Sequence, residues 1–188
     1  TQERNVSAFT KVATQGSTTI YIVQGADFEV KAKGYANLLP YLKTTVENGV
    51  LSVRYENTSN VRNDNSEVFI TMPVLTGLSS GGSGDMHVTG EFSGNTNFDA
   101  HISGSADITV EKGSAENFVL HSSGSGSFGS FGFTSQNADI AISGSGEAKI
   151  TVGQKLKVKI NGSGSVYYKG NPATVDNDIS GSGKVIKQ

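Results

Sequence analysis

Two pairs of residues have types and spacings that could bind a metal ion. Asp85 and Asp107 each lie just after a Gly-Ser phrase, and His101 and His121 are 20 residues apart. If the fold brings equivalent positions together, each pair becomes a pair of close neighbours. Two adjacent carboxylates repel each other unless a cation or a proton lies between them, which would suit Ca²⁺. Two adjacent imidazoles could share a transition metal ion.

Simpler interpretations compete with both metal sites. Ca²⁺ takes roughly six to eight oxygen ligands, so two carboxylates are too few, and Asp at a turn commonly accepts backbone hydrogen bonds. In the histidine series the next equivalent positions are Ala141 and Lys159, which add no useful ligand. We therefore predict no metal and no cofactor, with Ca²⁺ at the two aspartates as the less favoured alternative.

Tyr167 is the best single candidate for contact with a ligand. Side chains alternate along a strand, so Tyr167 points away from the face that Val166 and Tyr168 share. An aromatic ring on an outer face could stack on a sugar or pack against a protein. Phe128 instead falls in an inward position, and we expect most of the phenylalanines near it to fill the core.

The elements that would position these residues are marked by a Gly-Ser-Gly phrase. It recurs at residues 82–84, 104–106 (with Ala last), 124–126, 144–146, 162–164 and 181–183, at steps of 22, 20, 20, 18 and 19 residues. A period near 20 is typical of a solenoid, in which each repeat is one coil stacked on the next. Because Gly adopts a positive φ without a Cβ clash, the phrase predicts a sharp corner.

Apolar residues alternate with polar ones after each corner, which predicts strands with one inward face. The inward residues would be Met86, Val88, Ile108, Val110, Phe128, Ala148, Ile150 and Val166. A second strand precedes each corner, so each repeat reads as strand, corner, strand, loop. The pattern predicts an all-β fold, a right-handed parallel β-helix of about six repeats over residues 79–188.

Residues 1–78 are expected to form a β-rich part that is continuous with the solenoid and caps its end. Residues 16–25 match residues 104–113 in character. Pattern and composition predict a short helix from Tyr35 to Lys43 and a hairpin over 45–53 whose Asn48-Gly49 pair suits a type I′ turn. A polar loop over 57–65 and a strand over 67–73 complete this part.

Composition excludes several functional classes. The chain has 15 basic and 17 acidic residues, a net charge of −2 and no basic stretch, so nucleic acid is an unsuitable partner. It has no Cys, which excludes disulfides and thiolate chemistry. No apolar run is long enough to predict a transmembrane segment.

Several phrases, in their order along the chain, resemble one protein family. They are Phe-Thr-Lys-Val at 9–12, Gly-Ser at 16–17, Ile-Tyr-Ile at 20–22, Leu-Leu-Pro-Tyr-Leu at 38–42, Glu-Asn-Gly-Val-Leu at 47–51 and Ile-Ser-Gly-Ser-Gly at 142–146. The resemblance, over nearly the whole chain, is to the "putative autotransporter-adhesin head domain" or head GIN domain of secreted Bacteroidetes proteins, formally a domain of unknown function. It implies a β-helical domain of the cell envelope, often behind a signal peptide or lipid anchor. It implies adhesion only through the family's name, and no catalytic residues.

These observations favour a secreted or envelope-displayed, non-catalytic, adhesin-like module that binds an extracellular glycan or protein. Tyr167, Asp85 and Asp107 are its candidate contacts. A carbohydrate-active enzyme of the pectinase or polysaccharide-lyase kind is the alternative, since such enzymes favour β-helices. Against it, no acid–base pair is evident, and Arg4, Arg54 and Arg62 all lie outside the repeats. Self-association through the terminal residues 184–186 is a third possibility.

Overall fold

The computed structural model describes residues 1–56, 61 and 63–188, and this part of the chain contains fifteen strands. They are β1 Gln2–Glu3, β2 Lys11–Thr14, β3 Thr19–Gln24, β4 Glu29–Lys33, β5 Leu42–Glu47, β6 Val50–Tyr55, β7 Glu67–Met72, β8 Gly77–Ser80, β9 Met86–Gly104, β10 Asp107–Gly124, β11 Ser127–Gly144, β12 Glu147–Gly162, β13 Ser165–Lys169, β14 Thr174–Gly181 and β15 Lys184–Lys187. The polar loop predicted over 57–65 lies largely outside the described residues, as does Arg62.

The Gly-Ser repeat sets the register of a parallel stack. Gly104 lies opposite Gly124, Gly124 opposite Gly144, Gly144 opposite Gly162, and Gly162 opposite Gly181. Equivalent residues therefore stack in columns along one axis, about 4.8 Å apart. The predicted all-β solenoid is confirmed, with about six turns.

The glycine that opens each corner from Gly104 onward is required for two reasons. Gly124 and Gly144 have φ of 127° and 123°, a region that L side chains rarely adopt. In addition, a Cβ on Gly144 would overlap the carbonyl oxygen of Gly124, which accepts a hydrogen bond of 2.9 Å from the Ser145 N–H. The coils approach so closely at the corner that no side chain fits between them.

The core lies along the axis of the stack. All eight residues predicted to point inward are buried, with exposed fractions of 4% or less. Phe98, Phe118, Phe128 and Phe133 form an aromatic cluster within it, with Phe118 and Phe128 ring centroids 4.9 Å apart. The predicted core position of Phe128 is thus confirmed, and packed side chains fill the interior.

The segments predicted as loops between strands are also extended and paired. Strand β9 runs for 19 residues and β10 for 18, each from one corner to the next. Shifts of register between Val110 and Lys112, and between Gly113 and Ala115, interrupt the β9–β10 pairing. Such irregularities let a long strand bend around the core without losing its neighbours.

Strands β6 and β7 form a coil that lies out of sequence order. Strand β6 pairs in parallel with β2, and β7 pairs in parallel with β3, while β2 and β3 pair on their other edges with β8 and β9. The coil of β6 and β7 thus lies beyond that of β2 and β3, which precedes it in the chain. The predicted hairpin is present as β5–β6, and its turn residues Asn48 and Gly49 have φ of 51° and 74°.

Three antiparallel strands end the stack on this side, and we call β1, β4 and β5 the antiparallel end. Strand β5 pairs with β6, β4 with β7, and β1 with β4, all antiparallel. Phe9, Leu39 and Leu42 are buried here, and the Arg4 guanidinium donates hydrogen bonds to the carbonyl oxygens of Leu39 (3.0 Å) and Leu42 (3.1 Å).

The helix predicted from Tyr35 to Lys43 is wrong. Residues 36–41 form successive turns, in which the Leu38 N–H donates to the Tyr35 carbonyl at 2.9 Å, and strand β5 begins at Leu42. Pro40 lacks an N–H and disfavours helical geometry in the residue before it, while Leu42 is drawn into the β5–β6 pairing. Tertiary pairing therefore overrides the local apolar spacing.

Strands β14 and β15 form the last coil, which we call the parallel end. Strand β14 pairs in parallel with β12, and β15 with β13. Every residue of β14 is exposed, including Val175 and Ile179, which continue the buried columns of Leu156 and Ile160.

Candidate binding surface

The strands that follow each corner present one continuous outer face, which we call the post-corner face. Two columns of outward side chains run along it. The first contains Asp107, Ser127, Glu147, Ser165 and Lys184, and the second contains Phe69, Tyr21, His87, Thr109, Gly129, Lys149, Tyr167 and Ile186. All three candidate contact residues predicted from the sequence belong to this face or its margin.

Phe69, Tyr21 and His87 form an aromatic ladder at one end of the second column. The Phe69 and Tyr21 ring centroids are 5.1 Å apart with an interplanar angle of 11°, and those of Tyr21 and His87 are 5.3 Å apart at 28°. His87 Nδ1 lies 3.0 Å from the Thr109 hydroxyl oxygen, which fixes the ring on its other side. The ladder is therefore ordered by contacts within the protein.

The geometry of the ladder decides which contacts it can offer. Tyr21 has a ring against both of its faces, whereas Phe69 has a ring against only one. Phe69 remains 39% exposed, and Val23, on a neighbouring outward position, is 47% exposed. The result is an apolar ridge with polar edges, which is suited to packing against another surface.

Three ion pairs lie on or beside the post-corner face. Lys33 contacts Glu67 at 2.8 Å and Lys31 contacts Glu29 beside the ridge, while Lys149 contacts Glu147 at 2.6 Å three coils away from His87. In each pair the hydrogen bond to the carboxylate raises the pKa of the lysine. Surface pairs of this kind contribute little to stability, but the pairs of Lys31 and Lys33 balance the charge beside the apolar ridge.

The structure gives Asp85 and Asp107 defined hydrogen-bond partners. Asp85 Oδ1 accepts a hydrogen bond of 2.9 Å from the Asp107 N–H. Asp107 Oδ1 in turn accepts bonds from the N–H (3.1 Å) and hydroxyl (2.7 Å) of Ser127. Each carboxylate therefore binds the backbone of the next coil, and the two groups form rungs that join coils.

Tyr167 lies in the second column, between Lys149 and Ile186. It is partly exposed, and Lys149 Nζ is 5.8 Å from the centroid of its ring. The aromatic ladder occupies the same column several coils away, so Tyr167 and Tyr21 present side chains on the same face.

His101 and His121 stack on successive coils, as their spacing indicates. Their ring centroids are 5.3 Å apart at an interplanar angle of 15°. They line a cleft of about 280 Å³ whose other walls include Ser79, Ser103 and Ser123. Among the described residues no group of three or more His, Cys, Asp or Glu side chains is placed to bind a metal ion.

A half-buried polar cluster occupies the corner that precedes β7. The Asp64 carboxylate accepts hydrogen bonds from the Tyr55 hydroxyl (2.8 Å), the Ser17 hydroxyl (2.8 Å) and the Ser66 N–H (2.9 Å). Burial alone would raise the pKa of Asp64, but these bonds outweigh it and lower that pKa. Burial raises the pKa of Tyr55 to about 12. The cluster joins the coil of β2 and β3 to the coil of β6 and β7, which lies out of sequence order.

A polar groove of about 450 Å³ crosses five coils midway between successive corners. Of its lining residues only Glu116 is charged, and the others that bear polar side chains include Ser114, Gln136, Thr151 and Asn171. Its position and chemistry differ from those of the apolar ridge. The molecule therefore offers two distinct surfaces, a polar groove and an apolar ridge.

Sequence reasoning missed the aromatic ladder. The equivalence of residues 16–25 and 104–113 puts Tyr21 at the outward position of Thr109, so that residue could have been found. Phe69 could not, because nothing in the sequence shows that β7 stacks on β3. The ladder depends on the one coil that lies out of order.

The fold defines a class: a parallel β-solenoid ended on one side by antiparallel strands, with a continuous outer face along the stack. The chain belongs to the family described as "Putative auto-transporter adhesin, head GIN domain", whose model matches residues 8–172. The resemblance predicted from the sequence is thus confirmed. Membership indicates an adhesin-like module displayed at the envelope or outside the cell.

Solved structures share the fold at low sequence identity. A protein described as a putative adhesin from Bacteroides fragilis is 22% identical, with a TM-score of 0.78, over 100% of this chain and 95% of that one. A protein described as a putative lipid binding protein from Parabacteroides distasonis is also 22% identical over the same shares, with a TM-score of 0.61. A putative adhesin from Parabacteroides merdae is 19% identical over the same shares, with a TM-score of 0.55.

No curated protein matches the chain significantly. Across the residues that the structure describes, there is no helix of the length and apolar character needed to cross a membrane.

Proposed function

We propose that this protein is a non-catalytic binding module for an extracellular protein or glycan, and that a protein partner docks on the post-corner face. The observation that carries the proposal is the aromatic ladder of Phe69, Tyr21 and His87, which holds an exposed apolar ridge in a fixed geometry. Rigid aromatic side chains lose little conformational entropy on binding and dominate the energetics of many interfaces.

The ridge favours a protein partner over a glycan at this position. A sugar ring stacks on the face of an aromatic side chain, and both faces of Tyr21 are already covered by neighbouring rings. The polar groove with Glu116 and Gln136 is the surface that suits a glycan, because side-chain hydroxyl and amide groups can bind sugar hydroxyls. The two surfaces therefore assign the two ligand classes to different parts of the molecule.

The engagement of the candidate carboxylates supports a non-catalytic role. Asp107 binds Ser127, Asp139 pairs with Lys157 at 3.1 Å, and Asp99 pairs with Lys11 at 2.7 Å. A general acid or base needs a carboxyl group that is free to exchange a proton with the substrate. We also propose that the chain divides into a capping part (1–78) and a repeat part (79–188), which the antiparallel end supports. Anchoring through an attached lipid is a separate proposal.

The description of the Parabacteroides distasonis protein as lipid binding suggests a lipid as another ligand of this chain. The core phenylalanines of this chain are almost fully buried and packed against one another, which leaves the interior filled. A lipid would therefore have to lie on the outside, and the apolar ridge is the surface it would contact.

The experiment is a binding screen with purified chain on a glycan array and on a panel of purified extracellular proteins. For a protein ligand, we expect the double substitution Tyr21→Ala and Phe69→Ala to weaken binding by about thirty-fold or more, as truncation of interface anchors costs about 2 kcal/mol. Tyr41→Ala is the matched control, since Tyr41 is 49% exposed away from the ladder. Equal binding by the double variant and the control would contradict the assignment, and release of product from a polyuronate would establish an enzyme instead.

A further inference from the structure

The parallel end leaves core positions and strand edges uncovered. Val175 and Ile179 are each 39% exposed, although Leu156 and Ile160 in the same columns are 0% exposed. The backbone of a sheet edge also presents unpaired N–H and C=O groups, which can pair with another strand. This coil is therefore the part of the solenoid most suited to receive a further layer.

We propose that a second copy of this chain covers the parallel end in an end-to-end dimer. A two-fold axis parallel to the plane of the last coil, roughly 2.4 Å beyond it (half a strand spacing) and aligned with its Gly181–Gly183 corner, places β14 of one copy beside β15 of the other. Since β14 runs toward the corner and β15 runs away from it, the two strands pair antiparallel. The same contact then occurs twice, as two-fold symmetry requires.

Charge favours this pairing over its alternatives. Strand β14 carries Asp176 and Asp178, and β15 carries Lys184 and Lys187. Pairing β14 with a second β14 would bring acidic strands together, and the same holds for the basic β15 strands. Pairing β14 with the partner's β15 instead joins an acidic strand to a basic one.

The register matches chemical types as well. With Ser182 near the axis, Ile179 lies opposite the partner's Val185, and Asn177 lies opposite the partner's Lys187. Ile179 and Val185 both occupy inward columns, opposite Ile160 and Val166 in the preceding coil. The apolar columns of Ile160 and Val166 would thus continue across the interface, while the inward columns of Val158 and Tyr168 would end in the polar pair of Asn177 and the partner's Lys187. Asp178 comes within diagonal reach of the partner's Lys184.

The antiparallel end cannot take the place of the second parallel end. Leu39 is 4% exposed and Leu42 is 0% exposed there, and Arg4 holds the turn residues 36–41 in place through two carbonyl oxygens. A head-to-tail contact would place the exposed Ile179 on this already covered surface. The dimer is also independent of the aromatic ladder that carries the proposed binding role, because that ladder lies at the other end of the stack.

The test is sedimentation velocity of the 188-residue chain from about 1 μM to about 1 mM, the range of weak to moderate affinity. We expect a monomer–dimer equilibrium that Ile179→Lys weakens at least tenfold. Val74→Lys is the matched control, since Val74 is 46% exposed, lies between β7 and β8 far from the parallel end, and should leave the equilibrium unchanged. Circular dichroism and thermal unfolding check that each variant is folded.

Exchanging the charges of Asp178 and Lys184 provides a second test of the dimer. Asp178→Lys alone and Lys184→Asp alone should each weaken the dimer, and the two together should restore it, because each altered side chain then meets its altered partner across the axis. A monomer at all concentrations, a dimer that Ile179→Lys leaves intact, or species that grow beyond the dimer with concentration would each overturn the proposal.

Discussion

The two ends of this solenoid differ in strand direction and in the burial of their inward side chains. At the antiparallel end the stack stops in strands that run against the coils, and Leu42 is completely buried. At the parallel end the last strands keep the direction of all the others, and Ile179 is 39% exposed. A parallel stack has no intrinsic reason to stop, so a reversal of strand direction together with crossing turns is what closes an end.

The largest loss in the free energy of unfolding is expected from substitution of a glycine at an interior corner. Gly144→Ala combines an unfavourable φ of 123° with overlap between the new Cβ and the Gly124 carbonyl oxygen. We expect a loss of about 3 kcal/mol or more in the free energy of unfolding, the range for strain that cannot relax. Gly181→Ala meets the same overlap, but the coil at the parallel end can shift outward, so its cost should be clearly smaller. Urea unfolding followed by circular dichroism measures both.

The control for that comparison is Gly129→Ala, where φ is not positive and the nearest atom to a new Cβ is 3.9 Å away. It should be close to neutral or slightly stabilising. Equal costs for Gly144→Ala and Gly129→Ala would contradict the account of the corner.

The next largest expected effect is a difference between the two ends in the free energy of unfolding that one truncated side chain costs. Leu42→Ala should lower the free energy of unfolding by about 3 kcal/mol, because it removes a buried side chain and leaves a cavity. Ile179→Ala should cost below about 1 kcal/mol when the chain is monomeric, since much of that side chain already contacts water. Thermal unfolding of both variants at low protein concentration gives the difference. Similar losses would mean that the ends are equally closed.

The smallest expected effect is a dependence of the free energy of unfolding on pH that comes from Asp64 in the corner before β7. The folded-state pKa of Asp64 lies below its ordinary value of 3.8, so its ionised form stabilises the fold above that value. The contribution is lost as the pH falls through the folded pKa, when the carboxyl group is protonated. Asp64→Asn should therefore flatten the decline of stability below about pH 4, whereas Asp27→Asn at an exposed site should leave the profile unchanged. Parallel profiles for wild type and Asp64→Asn would refute this role.

The repeat part of the fold could be predicted from sequence because its cause is local. Each corner glycine meets the carbonyl of the previous corner, so a period near 20 residues fixes both the turn and the register. The inward positions of Met86, Ile108 and Phe128 follow from alternation after each corner. The stacking of His101 on His121 follows from the same period, although the period says nothing about ligands.

Other features depend on contacts between segments that are distant in sequence. The coil of β6 and β7 lacks the Gly-Ser-Gly phrase and stacks out of order, so Phe69 could not be assigned to the face of Tyr21. The apolar residues around Leu38 suggested a helix, but the pairing of β5 with β6 and the two bonds from Arg4 determine that segment. The sequence predicts that Asp85 and Asp107 accept hydrogen bonds from their own turns. In the structure, their carboxylate oxygens instead accept hydrogen bonds from residues of the next coil.

Amide hydrogen exchange along the stack tests the central claim most directly, at a dilution where the chain is monomeric. An end closed by antiparallel strands should protect β6 and β7 nearly as well as the interior strands β10 and β11, while protection should fall steeply in β14 and β15. Equal protection at the two ends, or faster exchange in β6 and β7 than in β14 and β15, would contradict the account.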